Sequence, residues 1–301
     1  MPDQTGTDTV YYLRHFLTVV RHSLTRYGDL LYPEEREIAE AFLSLGPLTR
    51  QLYTRLFNRK HRWFLPETIV YAELPNIDFI LEELCAAGFA SLKKPTSMDW
   101  DEIFPVITRG HLAKALCPGK PRGTKSEMGE RVRTILTGNP LLLDPMVQLH
   151  HAEVFELLLL LFFGNPYQDM TTLVLDEIDT TRYPSYTVSG ERLFHDRERL
   201  NAYLAARTLE QNLHELLEQG EQNRVLDEVD AILEHFERSV ASLPAVYFGR
   251  NAEHIFGRIV QWFAQETHRL PPATALNFLA RATALKLPPD IQTPLQERLS
   301  I

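Results

Sequence analysis

Apolar residues recur at three- and four-residue spacing from the start of the chain, and that period limits the fold more than any other feature. In TVYYLRHFLTVVRHSLTRYGDLL, the residues Tyr12, Phe16, Val19, Val20 and Leu24 share one face, which predicts an amphipathic helix stopped at Gly28. PEEREIAEAFLSLG predicts a second helix, opened by Pro33 and first-turn acids and closed at Gly46. PLTRQLYTRLFNRK predicts a third, with Leu48, Leu52 and Leu56 as its apolar stripe. Past Asn139 helix follows helix. DPMVQLHHAEVFELLLLLFFG reads as one buried helix, TTLVLDEIDTTRYPSY as a short one ended by Pro184, and the segments onward to Leu299 as helices joined by short turns. The chain is expected to be mainly α, with tetratricopeptide-like stacking over residues 206–301 that follows no strict repeat consensus.

Between these helical stretches the character changes twice. HRWFLPETIVYAEL carries a proline, aromatics and a β-branched pair, and predicts short extended segments. NIDFILEELCAAGFASLKK predicts a helix from Ile77 to Ala87 stopped by Gly88, then a strand at FASLKK. Three helices, an extended piece, a helix and another extended piece are the ingredients of a winged-helix-like domain, expected over residues 1–97. Such modules bind either nucleic acid or protein. A compact unit follows over residues 98–140, with predicted helices at Thr108–Leu116 and Lys125–Leu136 around the linker CPGKPRG. Residues 141–205 are then expected to be a helical linker region.

Composition excludes several classes. Hydrophobic content of 44% with 24% charged residues is that of a globular chain, not a disordered one. Cys85 and Cys117 give no disulfide or metal framework and fit a reducing compartment. The start MPDQTGTDTV is polar and acidic, unlike a secretory leader. The longest apolar run, Leu157–Phe163, is far short of the roughly 20 residues a membrane span needs. A cytoplasmic, nucleoid-associated protein with no membrane partner is expected.

Charge is the informative quantity. The formal net charge is −9, yet residues 1–150 hold 18 Lys/Arg against 18 Asp/Glu, while residues 151–301 hold 13 against 22. A surface for a polyanion should therefore lie in the first half, where the cations also cluster. In RLFNRKHRWF, the cations Arg55, Arg59, Lys60 and Arg62 occupy eight positions without one acid. Two readings stand for that stretch: a solvated helix end whose dipole favours cations, or a phosphate grip with Trp63 as stacking plate or core anchor. Between Thr108 and Leu136, Arg109, Lys114, Lys120, Arg122, Lys125, Arg131 and Arg133 face only Glu127 and Glu130. There Thr124 and Ser126 are cap candidates, and unpaired N–H groups at a helix start attract phosphate. The other reading of this cluster is a plain basic turn.

Catalytic signatures are sparse. G-x-S-x-G, Walker, G-x-G-x-x-G and H-E-x-x-H patterns are absent from the sequence. His150 and His151 before Glu153 and Glu156 could be imagined as metal ligands, but adjacent helical histidines point to different faces. The acids Asp176, Glu177 and Asp179 form a second conceivable metal cluster. A metal-dependent nuclease of PD-(D/E)-x-K type needs an acid two residues before a lysine. The residues at that position are Asn58, Ser91, Leu92, Leu112, Pro118, Gly123 and Ala284, none acidic.

The order of motifs resembles the Fanconi-anaemia-associated nuclease family. The likeness begins at YYLRHFLTVV and RYGDLL and runs through LYTRLFNRKHRWF, its most specific piece, and ILEELCAAGF. ITRGHLAKAL with RGTKSEMGERV resembles the family's SAP-type helix–extended–helix module, which implies phosphate-facing cations at Lys114, Lys120, Arg122 and Lys125. LLLFFGN, DMTTLVLDEIDTTRYPSY and LFHDRERLNAYL resemble the segment leading into its helical repeats. The resemblance implies a DNA-binding and scaffold portion of a structure-specific repair nuclease that cuts 5′-flap DNA and serves interstrand-crosslink repair. It implies branched or flap DNA as partner, and Mg²⁺ or Mn²⁺ for a C-terminal VRR-type nuclease domain. That domain is expected to be missing from this chain, leaving it without catalytic residues, metal ligands or a cofactor of its own. The alternative is a helical-repeat module that binds a protein through its acidic second half.

Overall fold

The structure is a computed structural model that describes residues 11–116, 123–139, 142–164, 192–218, 252–266, 268, 272–284 and 289–299. The chain divides into two compact units, Met1–Val188 and Ser189–Ile301. The first is built on α1 (Tyr11–Tyr27), α2 (Pro33–Ser44), α3 (Pro47–Phe57) and α8 (Ala152–Phe163). Their apolar faces meet in an aromatic core. The Phe155 ring lies 5.4 Å from Phe16, 4.9 Å from Phe42 and 5.1 Å from Tyr53, in tilted and edge-on geometries that aromatic quadrupoles favour. Ser23 sits fully buried in α1 and donates its hydroxyl hydrogen to the Leu158 carbonyl at 2.8 Å, so its polar group is satisfied across the α1–α8 contact. Of the predicted stripe on α3, Leu52 and Leu56 are buried, whereas Leu48, in the first turn, is 40% exposed.

A three-stranded antiparallel sheet closes this helical layer. The strands β1 (Trp63–Phe64), β2 (Ala90–Lys93) and β3 (Met146–Leu149) lie in the order β1-β3-β2. Trp63 and Ser91 both oppose Gln148, and Phe64 and Leu92 both oppose Val147. Directly paired residues share a face of the pleat, so Trp63 and Met146 point to one side while Phe64 and Val147 point to the other. Before β2, α4 (Ile77–Ala86) ends as its sequence predicts, with Gly88 in the left-handed region at φ 81°.

The Trp63 face carries a second core. It joins Trp63, Leu65 and Met146 to Trp100, Ile103, Leu112, Met128 and Val132. Those residues come from α5 (Trp100–Ile103), α6 (Arg109–Ala115) and α7 (Lys125–Gly138). The α5–α7 module is therefore inserted between strands of one sheet and packed against it, and residues on both sides of 98–140 build the first unit.

One segment corrects the sequence reading. DPMVQLHHAEVFELLLLLFFG is a strand followed by a helix, not one buried helix. Met146–Leu149 is paired on both edges by β1 and β2, which satisfies its backbone as a ladder. His151 then turns the chain at φ 62°, and α8 begins at Ala152. His150 and His151 consequently do not lie on a common helix with Glu153 and Glu156.

The second unit contains α9 (Arg197–Glu218), α10 (Ala252–Glu266), α11 (Pro272–Ala284) and α12 (Pro289–Leu299). Leu200, Ala206, Val260, Ala264, Ala282 and Leu295 are buried between them. Gln292 donates its amide hydrogen to the Thr283 carbonyl at 2.7 Å, fixing α12 against the end of α11. The predicted helices at TTLVLDEIDTTRYPSY and EQNRVLDEVDAILEHFERSVASL lie outside the described residues.

Candidate nucleic-acid interface

The cations of RLFNRKHRWF divide sharply in environment. Arg55, in the last turn of α3, pairs with Glu73 and stacks its guanidinium 3.8 Å from the centroid of Tyr12. Burial opposes its charge, but Glu73 and Tyr12 more than offset that and hold its pKa above the ordinary value. Arg59 donates to the Thr68 carbonyl at 3.1 Å and lies 5.1 Å from the Tyr71 ring. Arg62 donates to the carbonyls of Phe57 at 2.9 Å and Arg59 at 3.1 Å, so it caps the C-terminal end of α3, and its other amine reaches Glu156 at 2.5 Å. Helix-end carbonyls lack intrahelical partners and favour a cation, which is the helix-end reading of this stretch realised at Arg62. Trp63 is fully buried: it is a core anchor, its indole N–H donating to Glu102 at 3.0 Å. Lys60 alone of the four cations is exposed and has no ion-pair partner among the described residues.

The second cluster has the opposite character. Arg109 is exposed at the first position of α6. Lys125 opens α7 half-buried, with its ammonium 4.8 Å from the Phe104 ring and 3.4 Å from the Pro105 carbonyl. Lys114 pairs with Asp144 at 2.6 Å, but both side chains are well over half exposed. The Lys114 hydrogen bond holds the Asp144 carboxyl below the usual carboxylate range, helped by the charges of Lys94 and His111. Lys120 and Arg122 lie outside the described residues.

The helix starts in this module carry side-chain caps. Thr124 is the cap of α7; its hydroxyl accepts from the Glu127 N–H at 3.3 Å, and Glu127 accepts from the Thr124 N–H at 2.7 Å. Two of the backbone donors at this helix start, the N–H groups of Thr124 and Glu127, are therefore used within the capping box, and the Glu127 carboxylate lies beside them. The same motif explains Gly123, whose φ of 133° is a glycine conformation and whose Cβ would press on Glu127.

Two contacts link the end of α3 to α6. Arg59 holds the turn Pro66–Thr68 through Thr68, and Glu67 of that turn lies 2.8 Å from His111 Nε2 in α6. The end of α3, carrying Lys60, is thus linked through one short turn to the start of α6, carrying Arg109. Glu67 and Asp144 escaped sequence reasoning, since their partners are 44 and 30 residues away and no local pattern marks them.

Other candidates carry less chemistry. His150 is half-buried, its Nε2 2.9 Å from Ser91 Oγ and its carbonyl accepting from Tyr53. Burial, with His151 and Lys93 nearby, holds its pKa below the ordinary value. Among the described residues no group of three or more His, Cys, Asp or Glu is placed to hold a metal ion, and Asp176, Glu177 and Asp179 lie outside them. No described helix is long and apolar enough to cross a membrane.

Residues 10–91, which contain α1–α4 and β1, match the family described as FAN1, HTH domain. The Fanconi-associated nuclease 1 homolog of Pseudomonas aeruginosa is 28% identical over 204 residues, covering 64% of this chain and 36% of that protein. Fanconi-associated nuclease 1 of Homo sapiens is 27% identical over 245 residues, covering 68% of this chain and 24% of that protein. This chain thus spans about a third or less of the length of these curated relatives. In structure, the chain matches paFAN1 bound to 5′-flap DNA with a 2-nucleotide flap and a gap, with a TM-score of 0.71 and 22% identity over 99% of this chain and 53% of that one. At that identity the structural match speaks for the fold. Residues 10–91 thus carry the HTH domain described for FAN1, and about two thirds of the chain is similar to Fanconi-associated nucleases of bacteria and vertebrates.

Proposed function

We propose that this chain is a DNA-binding and scaffold portion of a structure-specific nuclease, which holds branched or flap DNA by its phosphates. The observation that carries the proposal is the exposure of Lys60, past the end of α3, and Arg109, at the start of α6, on helix ends linked through the Pro66–Thr68 turn, with the half-buried Lys125 opening α7 in the same unit. The relatives' name and the flap DNA held by the paFAN1 structures support the same reading. The α6–α7 module acts as a SAP-type phosphate reader, with Lys114, Lys120 and Arg122 adding to the cationic field. Arg55, Arg59 and Arg62 shape the platform beneath it. Cleavage, with its Mg²⁺ or Mn²⁺, falls to the part of the longer relatives that this chain does not match. The α9–α12 unit is a tetratricopeptide-like scaffold, and its acidic charge balance favours a protein partner there over DNA.

Cations that neutralise phosphates release condensed counterions, so affinity should fall steeply and linearly with the logarithm of salt. The test is fluorescence anisotropy of the 301-residue chain on 5′-flap DNA across a salt series. Replacing Lys60, Arg109 and Lys125 together by Ala should flatten the slope by about one unit per cation. Affinity indifferent to salt, or a slope unchanged in the triple variant, contradicts the reading. Flap cleavage by the chain itself in Mg²⁺ would contradict the division of labour.

A further inference from the structure

In a helix-turn-helix domain, such as residues 10–91 match, the second helix of the pair lies in the major groove with its first residues at the base edges. Neither helix that could take that role here is suited to it. The tight pair is α2 and α3, joined only by Leu45 and Gly46. Its second member is spent on the core, since Gln51, Leu52, Tyr53, Thr54, Leu56 and Phe57 of α3 are all buried. The next helix, α4, packs on α3 through Thr49, whose hydroxyl donates to Glu83 at 2.9 Å. It turns Asp78, Phe79, Glu82 and Ala86 to solvent, with Asp78 in the first turn, where base edges would be met. From Leu74 to Ala90 the chain has no Lys, Arg or His. A carboxylate can accept from a cytosine amine, but cations must first seat the phosphates beside the groove. The cations of neighbouring elements are engaged elsewhere. Arg50 of α3 donates to the Leu43 carbonyl at 3.2 Å, the Lys93 ammonium lies 5.0 Å from the Trp63 ring, and Lys94 acts on Asp144. The same sign extends over α2, where Glu34, Glu37 and Glu40 are exposed and the one cation, Arg36, donates to the Gly28 carbonyl.

We propose that the helix-turn-helix domain of this chain reads no groove: the carboxylates of α2 and α4 hold duplex away from the helices that would read it. DNA is then gripped by its phosphates on the Lys60 and Arg109 side of the unit, and binding follows the course of the backbone rather than the base sequence. This deepens the DNA-binding reading and rests on it. Asp78 and Glu82 become specificity determinants that act by repulsion, closing the one exposed helix through which the domain could dock on plain duplex.

The test titrates the full chain, at fixed salt, with two 5′-flap DNAs of one geometry and unrelated sequence. They should bind within about twofold of each other, where a base-reading domain discriminates by roughly 1,000-fold or more. Asp78→Lys combined with Glu82→Lys should then tighten binding of a blunt duplex about tenfold and steepen its salt slope by about two units, one per new cation. The same change of net charge on α9, Glu198→Lys combined with Glu215→Lys, should give under about threefold, because those exposed positions lie outside the helix-turn-helix domain. Melting curves establish that both variants fold. Discrimination beyond about tenfold between the two flap sequences overturns the proposal. So does a duplex gain at α4 no larger than the gain at α9. Either result leaves the wider DNA reading standing. Failure of the wild-type chain to bind any of these DNAs removes both.

Discussion

The stretch around the end of α3 and the α6–α7 module are both rich in cations, and they differ in what those cations touch. At the first, Arg55, Arg59 and Arg62 turn inward, each engaged with a carboxylate, a carbonyl or an aromatic face. At the second, Arg109 stands exposed at the start of α6, while Lys125, at the start of α7, is half-buried over the Phe104 ring. The difference follows from the side chains. A planar guanidinium satisfies several acceptors at once and stacks on rings, so it suits a half-buried structural knot. Lys60, in the midst of the arginines, has a compact and strongly hydrated charge, and it is the one left outside. A run of cations therefore gives the sign of a surface's charge but not which members reach it.

This contrast can be attacked from its structural side first. Trp63→Ala should be the most damaging change, costing about 3–5 kcal/mol, because it empties the seam between the sheet and the α5–α7 module. Urea denaturation measures it, and a loss under 1 kcal/mol would mean the two cores are not joined there. Next comes Arg55→Ala. It leaves Glu73, whose side chain is only 17% exposed, without its partner; since Arg55 is about a third exposed, the cost should be about 1–2 kcal/mol. Lys60→Ala should stay within about 0.5 kcal/mol of wild type, so equal effects at the two positions would erase the distinction.

A smaller effect sharpens the module side. Thr124→Ala opens the capping box of α7 and should cost about 1 kcal/mol, while freeing backbone N–H groups at a cationic helix start. Stability should fall, yet DNA affinity should not. A drop in both would mean that the cap positions Lys125 for binding.

The weakest expected effect is on pH. His150 has its pKa lowered in the folded chain, so the unfolded chain takes up a proton that the folded chain refuses. Stability from this group is present above the unfolded value of about 6.5 and declines as pH falls below it. His150→Gln should reduce that decline between neutral and mildly acidic pH in thermal melts. An unchanged pH profile would deny His150 its half-buried place at the end of β3.

How far the sequence foretold all this depends on the range of the interaction. Helices α1–α4, the strand at FASLKK and the α6–α7 pair were legible, because period, proline and glycine act locally. Met146–Leu149 was not. Its strand conformation comes from β1 and β2, more than fifty residues upstream, and its apolar residues run on into those of α8. The cationic character of the surface was likewise visible, but the inward turn of Arg55 depends on Glu73 and Tyr12, and that of Arg62 on Glu156. Phosphate affinity was expected of the N–H groups at the α7 start, where the sequence shows Thr124 and Glu127 but not that they close on each other.

The division between inner arginines and outer cations is tested most directly by one pair of salt titrations on 5′-flap DNA. The outer variant replaces Lys60, Arg109 and Lys125 by Ala; the inner variant replaces Arg55 by Lys, keeping charge but losing the planar fork. The outer variant should lose about three units of slope, one per cation, with an unchanged melting temperature. The inner variant should keep the wild-type slope and melt earlier. A full slope in the outer variant, or a slope lost in the inner one at salt and temperature where it remains folded, would contradict the account.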